Sequence, residues 1–314
     1  MFKIAIVGTG AIAKSHIDAI KDLDSCELVA LCDLNEERVS ALAKECGVPY
    51  FLNYKDIPSS VECDGVILNL PHGLHAEASV FFLESGLNVL VEKPMANTVQ
   101  ECDVMNEAAV KSGKKLAVAH VQRFFGVNRR VKEIIDSGEL GRPCMYLEQR
   151  SINYFLPNRP AWFTNKKMSG GGIVMNYGAH AFDRLFYTTG AKPVEVCGFC
   201  DNFINERDVE GHAQIMVKLD NGMSGSVTFS GYSTVAYEIY YYFTGGALKL
   251  DGTSNIYIKR EGEREWQKIE SQSCNTFAFE IDEFRKYCIG EDSEIPDYEY
   301  SRAIIESIEK AYKQ

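Results

Sequence analysis

The sequence has no long apolar segment, since no hydrophobic run approaches the ~20 residues that a membrane-spanning helix needs. We expect no secretory leader either, because the apolar stretch at 2–7 runs directly into a glycine turn. Basic residues are also fewer than acidic ones: the chain has 33 Lys and Arg and 44 Asp and Glu, which gives a net charge of −11. We therefore expect a cytoplasmic protein that binds neither membranes nor nucleic acid.

Paired-cysteine patterns are missing as well. The ten cysteines sit singly, mostly inside apolar segments, which favours reduced and buried thiols over disulfides. Cys197 and Cys200 have a C-x-x-C spacing, but the surrounding residues indicate a strand and no second Cys or His pair lies at zinc-finger distance. We expect no metal site and no redox role for this pair.

The chain is long enough for two domains, with 314 residues of which 46% are hydrophobic and 25% charged. Its first part alternates short apolar runs with helical segments. The pattern predicts strands at 3–7, 27–32, 65–68, 88–91 and 115–119, and helices at 11–21, 36–46, 75–84 and 99–112. This alternation is typical of a doubly wound parallel sheet, so residues 1–120 are expected to form a Rossmann-type α/β domain.

The remaining residues, 121–314, change to longer β-rich stretches. Strands are predicted at 144–152, 194–203, 211–219, 223–229, 237–243 and 247–250, and helices at 126–137, 173–187, 277–288 and 298–312. Asp220-Asn221-Gly222 separates two of these strands and predicts a hairpin. We expect an α+β second domain with a mainly antiparallel sheet and a cleft against the first domain. Packing of the last helix on the first domain is left open.

A glycine-rich turn follows the first strand and opens a helix, which is where a G-x-G-x-x-G/A dinucleotide-binding fingerprint must lie. Its members are Gly8, Thr9, Gly10, Ala11, Ile12 and Ala13. Gly8 permits the tight turn, Gly10 lets the backbone approach a pyrophosphate, and Ala13 keeps helix and strand close.

Asp33 ends the second strand, 20 residues after Ala13. A carboxylate at this position can accept hydrogen bonds from the adenosine ribose hydroxyls and would repel a 2′-phosphate. The sequence therefore favours NAD over NADP as the cofactor. The alternative is a glycine turn and a helix-capping Asp without a ligand.

A polar segment follows the strand at 65–68, at the edge of the sheet where ligands bind in open α/β folds. Asn69, Pro71, His72 and His75 are its candidate cofactor contacts. A metal pair of His72 and His75 is the alternative, but no carboxylate or cysteine partner is apparent. Cleft-wall and helix-start roles are preferred.

Glu92-Lys93-Pro94 follows the strand at 88–91, again at its carboxyl end. The proline is compatible with a cis bond or a rigid turn, either of which would aim the Lys93 ammonium at a fixed point. Beside a nicotinamide, that cation would stabilise the alkoxide-like oxygen that develops at a carbinol carbon. The alternative is an ordinary turn with a solvated charge pair.

With these motifs in this order, the sequence resembles the Gfo/Idh/MocA oxidoreductase family, which includes glucose–fructose oxidoreductase and inositol dehydrogenases. The resemblance continues through Arg123, Trp162 and the segment 170–180, which ends in His180. It implies that Lys93 and His180 face the substrate carbon across from the nicotinamide. It also implies an open sheet in the second domain, of the kind often used for dimer or tetramer contacts.

The chain departs from the family pattern at two positions: Asn176 stands where an Asp usually precedes the histidine by four residues, and Phe163 stands where an Arg commonly follows the tryptophan. On a helix, Asn176 and His180 share a face. An Asn can orient a sugar hydroxyl but cannot accept a proton, so proton transfer falls to His180, with help from Lys93 left open. Substrate binding is assigned to Arg123, Trp162, Asn176 and His180.

Several polar residues keep a structural alternative. His180 could be a packed histidine, although a triple-glycine loop leads into its helix and Gly178, which costs ~1 kcal/mol relative to Ala, indicates close approach by backbone or ligand. Asp183 either takes part in catalysis or pairs with a neighbour. His120 and Arg123 either contact substrate or serve a structural role between domains.

Tyr237, Tyr240, Tyr241 and Tyr242 crowd one predicted strand. Aromatic sheet faces are common at subunit interfaces, so oligomer contact is preferred over a core-packed strand with alternate tyrosines exposed. We expect a homodimer or homotetramer that assembles through the C-terminal sheet.

Together these features predict reversible hydride transfer between NAD(H) and a carbinol carbon of a sugar, inositol or related polyol. His180 is the expected general acid/base, Lys93 the electrostatic stabiliser and Asn176 the orienting partner. Two rivals stay open. One is an NAD-dependent glycoside hydrolase that recycles its cofactor internally, and the other is a non-catalytic NAD-binding regulator.

Overall fold

A computed structural model describes residues 1–202 and 207–313 of the chain. The chain forms two compact units. The first comprises Met1–Val121 and Asn275–Arg302, and the second comprises Gln122–Cys274 and Ala303–Gln314. The sequence-based division into 1–120 and 121–314 differs in its treatment of residues 275–302, which it assigns to the second domain.

The first unit is built on a six-stranded parallel sheet with the strand order β3-β2-β1-β4-β5-β6. The strands are β1 (Phe2–Val7), β2 (Cys26–Cys32), β3 (Tyr50–Phe51), β4 (Gly65–Leu68), β5 (Asn88–Glu92) and β6 (Leu116–Ala119). The helices are α1 (Ala13–Lys21), α2 (Glu36–Cys46), α3 (Ile57–Ser60), α4 (His75–Glu84) and α5 (Val99–Ser112). The predicted doubly wound sheet is confirmed, and its strand order reverses between β1 and β4, where such folds bind ligands.

The second unit is built on an eight-stranded sheet with the order β14-β13-β12-β11-β7-β10-β9-β8. Its strands are β7 (Pro143–Ser151), β8 (Pro193–Asp201), β9 (His212–Leu219), β10 (Ser224–Ser230), β11 (Tyr237–Phe243), β12 (Gly246–Asp251), β13 (Asn255–Arg260) and β14 (Gln267–Ile269). Its helices include α6 (Gly126–Ser137), α7 (Lys166–Ser169) and α8 (Ala179–Thr189). The pairs are antiparallel except β7 with β10, which confirms the open, mainly antiparallel sheet.

Single strands of this sheet show where sequence patterns work. The predicted hairpin joins β9 to β10, and Gly222 has a φ of +85°, a conformation that favours glycine. The strand predicted at 194–203 ends at Asp201, while Phe203 lies outside the described residues. β13 and β14 were not predicted, because they are short and polar at their ends.

Two further helices are α9 (Thr276–Ile289) and α10 (Tyr298–Tyr312). α9 belongs to the first unit because its apolar side chains join the core there. Phe284 meets Phe2 edge-on with 6.1 Å between ring centroids, and Ile281 is fully buried. Burying a side chain of this size contributes roughly 1.5–3 kcal/mol. Periodicity alone cannot assign such a helix to a domain, which explains the difference from the division at residue 120.

The cysteines on β8 point to opposite sides of the strand. Cys197 is exposed, whereas Cys200, three residues later, is half-buried on the other face, so the two cannot bind one ion. Cys144 and Cys274 are also exposed, contrary to the expectation of mostly buried thiols. Among residues 1–202 and 207–313, no cluster of three or more His, Cys, Asp or Glu is placed to hold a metal ion.

Within the described part of the chain, no helix combines the length and the apolar character needed to cross a bilayer.

Candidate functional site

The glycine turn after β1 has the shape of a phosphate-binding loop. Gly8 has a φ of +93°, and a Cβ built on it would lie 2.3 Å from the Asn69 carbonyl oxygen, so only glycine fits. A Cβ on Gly10 would have no described atom within 4 Å, so this backbone faces open space. Ala13 is fully buried at the start of α1, and the N-terminus of a helix favours an anion. Of the other residues of the turn, Thr9 is buried, Ile12 is half-buried and Ala11 is exposed.

Asp33 follows β2 directly and accepts a dense set of hydrogen bonds. Thr9 donates its backbone N–H at 2.7 Å and its hydroxyl at 2.9 Å, Asn35 donates its N–H at 2.9 Å, and Arg38 donates at 2.8 Å to both oxygens. Burial alone would raise the pKa of Asp33, but these hydrogen bonds bring it below its usual value. The group is therefore a carboxylate at neutral pH. Arg38 was not among the residues predicted from the sequence. It could have been found as a cationic residue in the first turn of the helix that follows Asp33.

Asn69 follows β4 at the point where the strand order reverses. Both polar atoms of its side chain are buried, and no hydrogen-bond partner for them lies among the described residues. Buried polar groups are costly when unsatisfied, and a bound polar ligand would satisfy these. Together with the space at Gly10, this side chain fits a dinucleotide cofactor at this edge of the sheet.

The two histidines next along the chain do not form a metal pair. His75 is fully buried at the start of α4, and its two ring nitrogens lie 2.9 Å from the carbonyl oxygens of Leu70 and Pro94. Both nitrogens thus face backbone carbonyl oxygens, and the ring N–H can donate to one of them. His72, which follows Pro71, is 5% exposed, and its ring centroid lies 5.7 Å from that of His75.

Glu92 and Lys93 lie at the end of β5, and the Lys93–Pro94 peptide bond is cis. Glu92 Oε1 lies 3.1 Å from Nε2 of the fully buried His16 on α1, and Oε2 accepts the Lys93 N–H at 3.2 Å. Burial would raise the pKa of Glu92, but His16 and the charge of Lys93 bring it below its usual value. Sequence analysis missed His16, whose signal was a polar residue on the buried face of α1.

In the second unit, the helix that carries Asn176 and His180 is not regular. We predicted one α-helix over 173–187, whereas the structure has a π-helical turn at Val174–Gly178 followed by α8. Asn176 is 7% exposed and His180 is 8% exposed. π-helical turns are rare and frequently occur at functional sites.

The glycines before this helix have a reason in the protein itself. A Cβ on Gly171 would lie 2.1 Å from the Tyr312 hydroxyl oxygen, and one on Gly172 would lie 2.0 Å from the Glu210 carbonyl oxygen. A Cβ on Gly178 would meet Val174 at 3.4 Å, an ordinary contact, so close approach of the backbone does not explain that glycine. Glu210 and Tyr312 were not identified from the sequence.

Asp183 and Arg123 form a buried ion pair with 2.8 Å between Oδ1 and the guanidinium. The Arg123 guanidinium also lies over the Tyr187 ring, 5.1 Å from its centroid. This pairing supports the structural alternative for Asp183, whereas substrate binding by Arg123 stays a prediction. His120, whose ring lies 6.3 Å from that of Tyr300, is also buried.

Trp162 is half-buried and stacks on Phe163 with 3.7 Å between ring centroids. The Arg159 guanidinium also lies over the Phe163 ring, 4.7 Å from its centroid. The position where the family pattern has an arginine is therefore occupied by an aromatic side chain with a cation stacked on it. A planar aromatic surface of this kind can pack against a sugar ring.

Two family profiles match this chain. The profile described as "Oxidoreductase family, NAD-binding Rossmann fold" matches residues 2–120, and the profile described as "GFO/IDH/MocA C-terminal domain" matches residues 128–251. Together they account for more than half of the chain.

Curated relatives point the same way. The 1-carboxy-3-chloro-3,4-dihydroxycyclo hexa-1,5-diene dehydrogenase of Comamonas testosteroni is 31% identical over 74% of this chain and 58% of its own length. The D-glucoside 3-dehydrogenase of Escherichia coli (strain K12) is 31% identical over 62% of this chain and 55% of its own length. The chain thus spans a little over half of the length of these relatives.

A crystal structure of aldose-aldose oxidoreductase from Caulobacter crescentus superposes with a TM-score of 0.90 at 20% identity, covering 99% of this chain and 96% of that one. At this identity the likeness shows the fold alone. The profile matches to both halves, taken with this fold, show that the chain belongs to the Gfo/Idh/MocA oxidoreductase family.

Proposed function

We propose that the chain is an NAD-dependent oxidoreductase acting on a carbinol carbon of a sugar, inositol or related polyol. The observation that carries the proposal is the open turn at Gly10 beside the Asp33 carboxylate and the unsatisfied Asn69 side chain. The substrate class is supported by relatives whose names specify dehydrogenation of glucosides and inositol.

Within the first unit, the turn at Gly8 and Gly10 would hold the pyrophosphate and Asp33 the adenosine ribose. The other proposed contacts are Thr9, Ala11, Ile12, Asn69, Pro71, His72, His75, Glu92 and Lys93. His75 would act by shaping the wall, because both of its ring nitrogens face backbone carbonyl oxygens. When bound, NAD supplies a nicotinamide ring that exchanges a hydride with the substrate.

We assign NAD ahead of NADP because the Asp33 carboxylate would repel a 2′-phosphate. Arg38 weakens that preference, since its half-exposed guanidinium lies on the same carboxylate and an Arg near this position can accommodate a 2′-phosphate. The expected discrimination is therefore smaller than an unpaired Asp33 would give.

In the proposed reaction, His180 takes the proton from the substrate hydroxyl and returns it in the reverse direction. The Lys93 ammonium stabilises negative charge on the same oxygen. Asn176, one π-helical turn before His180, orients a hydroxyl through its amide. Arg123 and Trp162 complete the proposed substrate contacts.

We further propose that the chain forms a homo-oligomer through the C-terminal sheet. Tyr240 and Tyr242 lie stacked on its outer face, 6.1 Å between centroids, beside the exposed Met145. Tyr241 is buried, and the Tyr237 hydroxyl accepts a hydrogen bond from the buried Arg184 guanidinium at 2.7 Å, so only alternate tyrosines are available for a partner.

The test is absorbance of reduced nicotinamide while purified protein and NAD are mixed with a panel of polyols, inositols and aldoses, with NADP in parallel. A rise with NAD and one compound supports the dehydrogenase and identifies its substrate. No rise despite measured NAD binding would contradict it. Sugar release without net NADH would then indicate a glycoside hydrolase, and neither product would indicate a regulator.

A further inference from the structure

One buried carboxylate holds the loop that leads into the helix of His180. Both oxygens of Glu210 accept the Gly172 N–H at 2.8 Å, and Oε1 also accepts the Val174 N–H at 2.8 Å. The backbone carbonyl of Glu210 accepts the Ile173 N–H at 3.2 Å. The first amides of a helix have no partner within the helix, so one residue satisfies three in succession.

Tyr312 on α10 completes this contact, and we call Glu210 and Tyr312 together the anchor of the loop. The Tyr312 hydroxyl donates to Glu210 Oε1 at 2.9 Å, and Glu210 is buried while Tyr312 is half-buried. Burial raises the pKa of Glu210, and the hydrogen bonds from Gly172, Val174 and Tyr312 oppose that shift. A carboxylate at a helix N-terminus is also favoured by the helix dipole.

The glycines of the loop are what allow the contact. Side chains at Gly171 and Gly172 would collide with the Tyr312 hydroxyl and the Glu210 backbone, at the 2.1 Å and 2.0 Å given above. The loop can therefore lie directly against the anchor. A role in loop flexibility is not needed to account for these two glycines.

The anchor controls the direction in which later side chains leave the helix. Each residue of an α-helix turns the side-chain direction by about 100°, so a slip of one residue at the start would turn His180 away by that angle. The π-helical turn Val174–Gly178 lies between the anchor and His180, and because it has more residues per turn than an α-helix, it further changes the direction of the side chains that follow. The orientation of His180 thus depends on where the first turn is held.

We propose that Glu210 and Tyr312 are positioning residues for His180, which they orient by fixing the start of its helix. This inference rests on the proposed function, in which His180 carries the proton.

The test records the ring NMR signals of His180 in the full chain, assigned by their loss in His180→Ala. Glu210→Ala and Tyr312→Phe should shift or broaden these signals and leave the four histidines of the first unit in place. In turnover they should lower kcat at least tenfold with less than a twofold change in KM. Glu210→Gln, whose amide oxygen can still accept a helix N–H, should restore part of the native His180 signals and part of kcat.

A matched control is available in α5. Glu101 accepts the N–H groups of Asn97 and Thr98 at 2.9 Å and 3.2 Å, so it too anchors a helix start. Glu101→Ala should leave both the His180 signals and kcat as in the native chain.

Unchanged His180 signals in Glu210→Ala and Tyr312→Phe would overturn the proposal. A raised KM with an unchanged kcat would overturn it as well. If Glu210→Ala does not fold, Tyr312→Phe, which removes a single oxygen, decides. The NMR signals need no substrate. A chain that oxidises no polyol would contradict the proposed function, whereas the signals would still decide the positioning.

Discussion

Arg38 places one guanidinium nitrogen 2.8 Å from each carboxylate oxygen of Asp33, so the residue expected to select the cofactor carries its own cation. Arg38 is half exposed, which limits the energy of this ion pair. The selection of NAD or NADP therefore depends on both residues and can be tested by changing each in turn.

Asp33→Ser should shift the ratio of NADPH to NADH affinity toward NADPH by roughly tenfold or more, because a hydrogen bond to a charged group is worth about 1.5–3 kcal/mol. Fluorescence titration with each reduced nucleotide gives the two Kd values. Arg38→Gln is the matched control and should weaken NADPH more than NADH. An unchanged ratio in Asp33→Ser would mean that Asp33 does not face the ribose.

His180→Ala should lower kcat by roughly 10²–10⁴-fold, the usual contribution of a general acid/base, while NADH affinity stays as in the native chain. The measurement combines steady-state turnover with a nucleotide titration. His212→Ala, a half-buried histidine on β9, serves as the control and should turn over normally. Normal turnover in His180→Ala would remove His180 from the proposed role.

Asn176→Asp introduces the carboxylate that the family pattern usually has. A carboxylate on the same helix face favours the imidazolium form of His180. The acid limb of kcat against pH should therefore move to higher pH, which turnover assays across the pH range would measure. An identical profile in the variant would show that the two side chains do not interact.

His16→Leu should destabilise the first unit in a pH-dependent way. The pKa of Glu92 lies below its usual value, so the interaction with His16 adds stability above pH ~4.3, the ordinary Glu value, and this is lost as the pH falls through the folded pKa. At pH 7 the variant should lose about 1–3 kcal/mol, and the difference should shrink in acid. Hydrogen exchange of the β5 amides measures it.

Ile17→Val, on the same helix, is the control for His16→Leu. Its cost of about 0.5–1.5 kcal/mol comes from lost apolar contact and should not change with pH. A pH-independent loss in His16→Leu as well would mean that the charge of Glu92 plays no part.

Asp183→Asn should destabilise the second unit by about 3–5 kcal/mol, because it leaves the buried Arg123 without its charge partner. Both tryptophans, Trp162 and Trp266, lie in this unit, so tryptophan fluorescence during urea unfolding reports it. The double replacement Arg123→Met with Asp183→Leu should recover much of the loss. Native stability with a raised KM would instead favour a substrate role for Arg123.

The glycine turn, Asp33 and the parallel sheet could be predicted because each is encoded over a few neighbouring residues. Gly8 shows the limit of that reasoning: its sequence context predicts the turn, but the partner that excludes a Cβ, the Asn69 carbonyl, lies just after β4, 61 positions later. His16 and Glu92 are 76 positions apart, and no local pattern reports such a contact.

The start of the helix of His180 was also difficult to predict, because its contacts come from residues far away in the sequence. Its periodicity predicts a helix but does not distinguish an α-turn from the π-turn at Val174–Gly178. The glycines at 171 and 172 were recognised as a loop, yet their cause is Glu210 and Tyr312, residues that fall 38 or more positions later.

The division of the first unit between Met1–Val121 and Asn275–Arg302 also bears on biosynthesis. A ribosome releases the six-stranded sheet long before it has made α9, so Phe2 and its neighbours lack Phe284 while the whole of 122–274 is translated. Domains usually fold as units during synthesis, but this one cannot be completed until after residue 284 emerges. A nascent chain stalled at 274 should therefore expose an apolar surface that chaperones recognise.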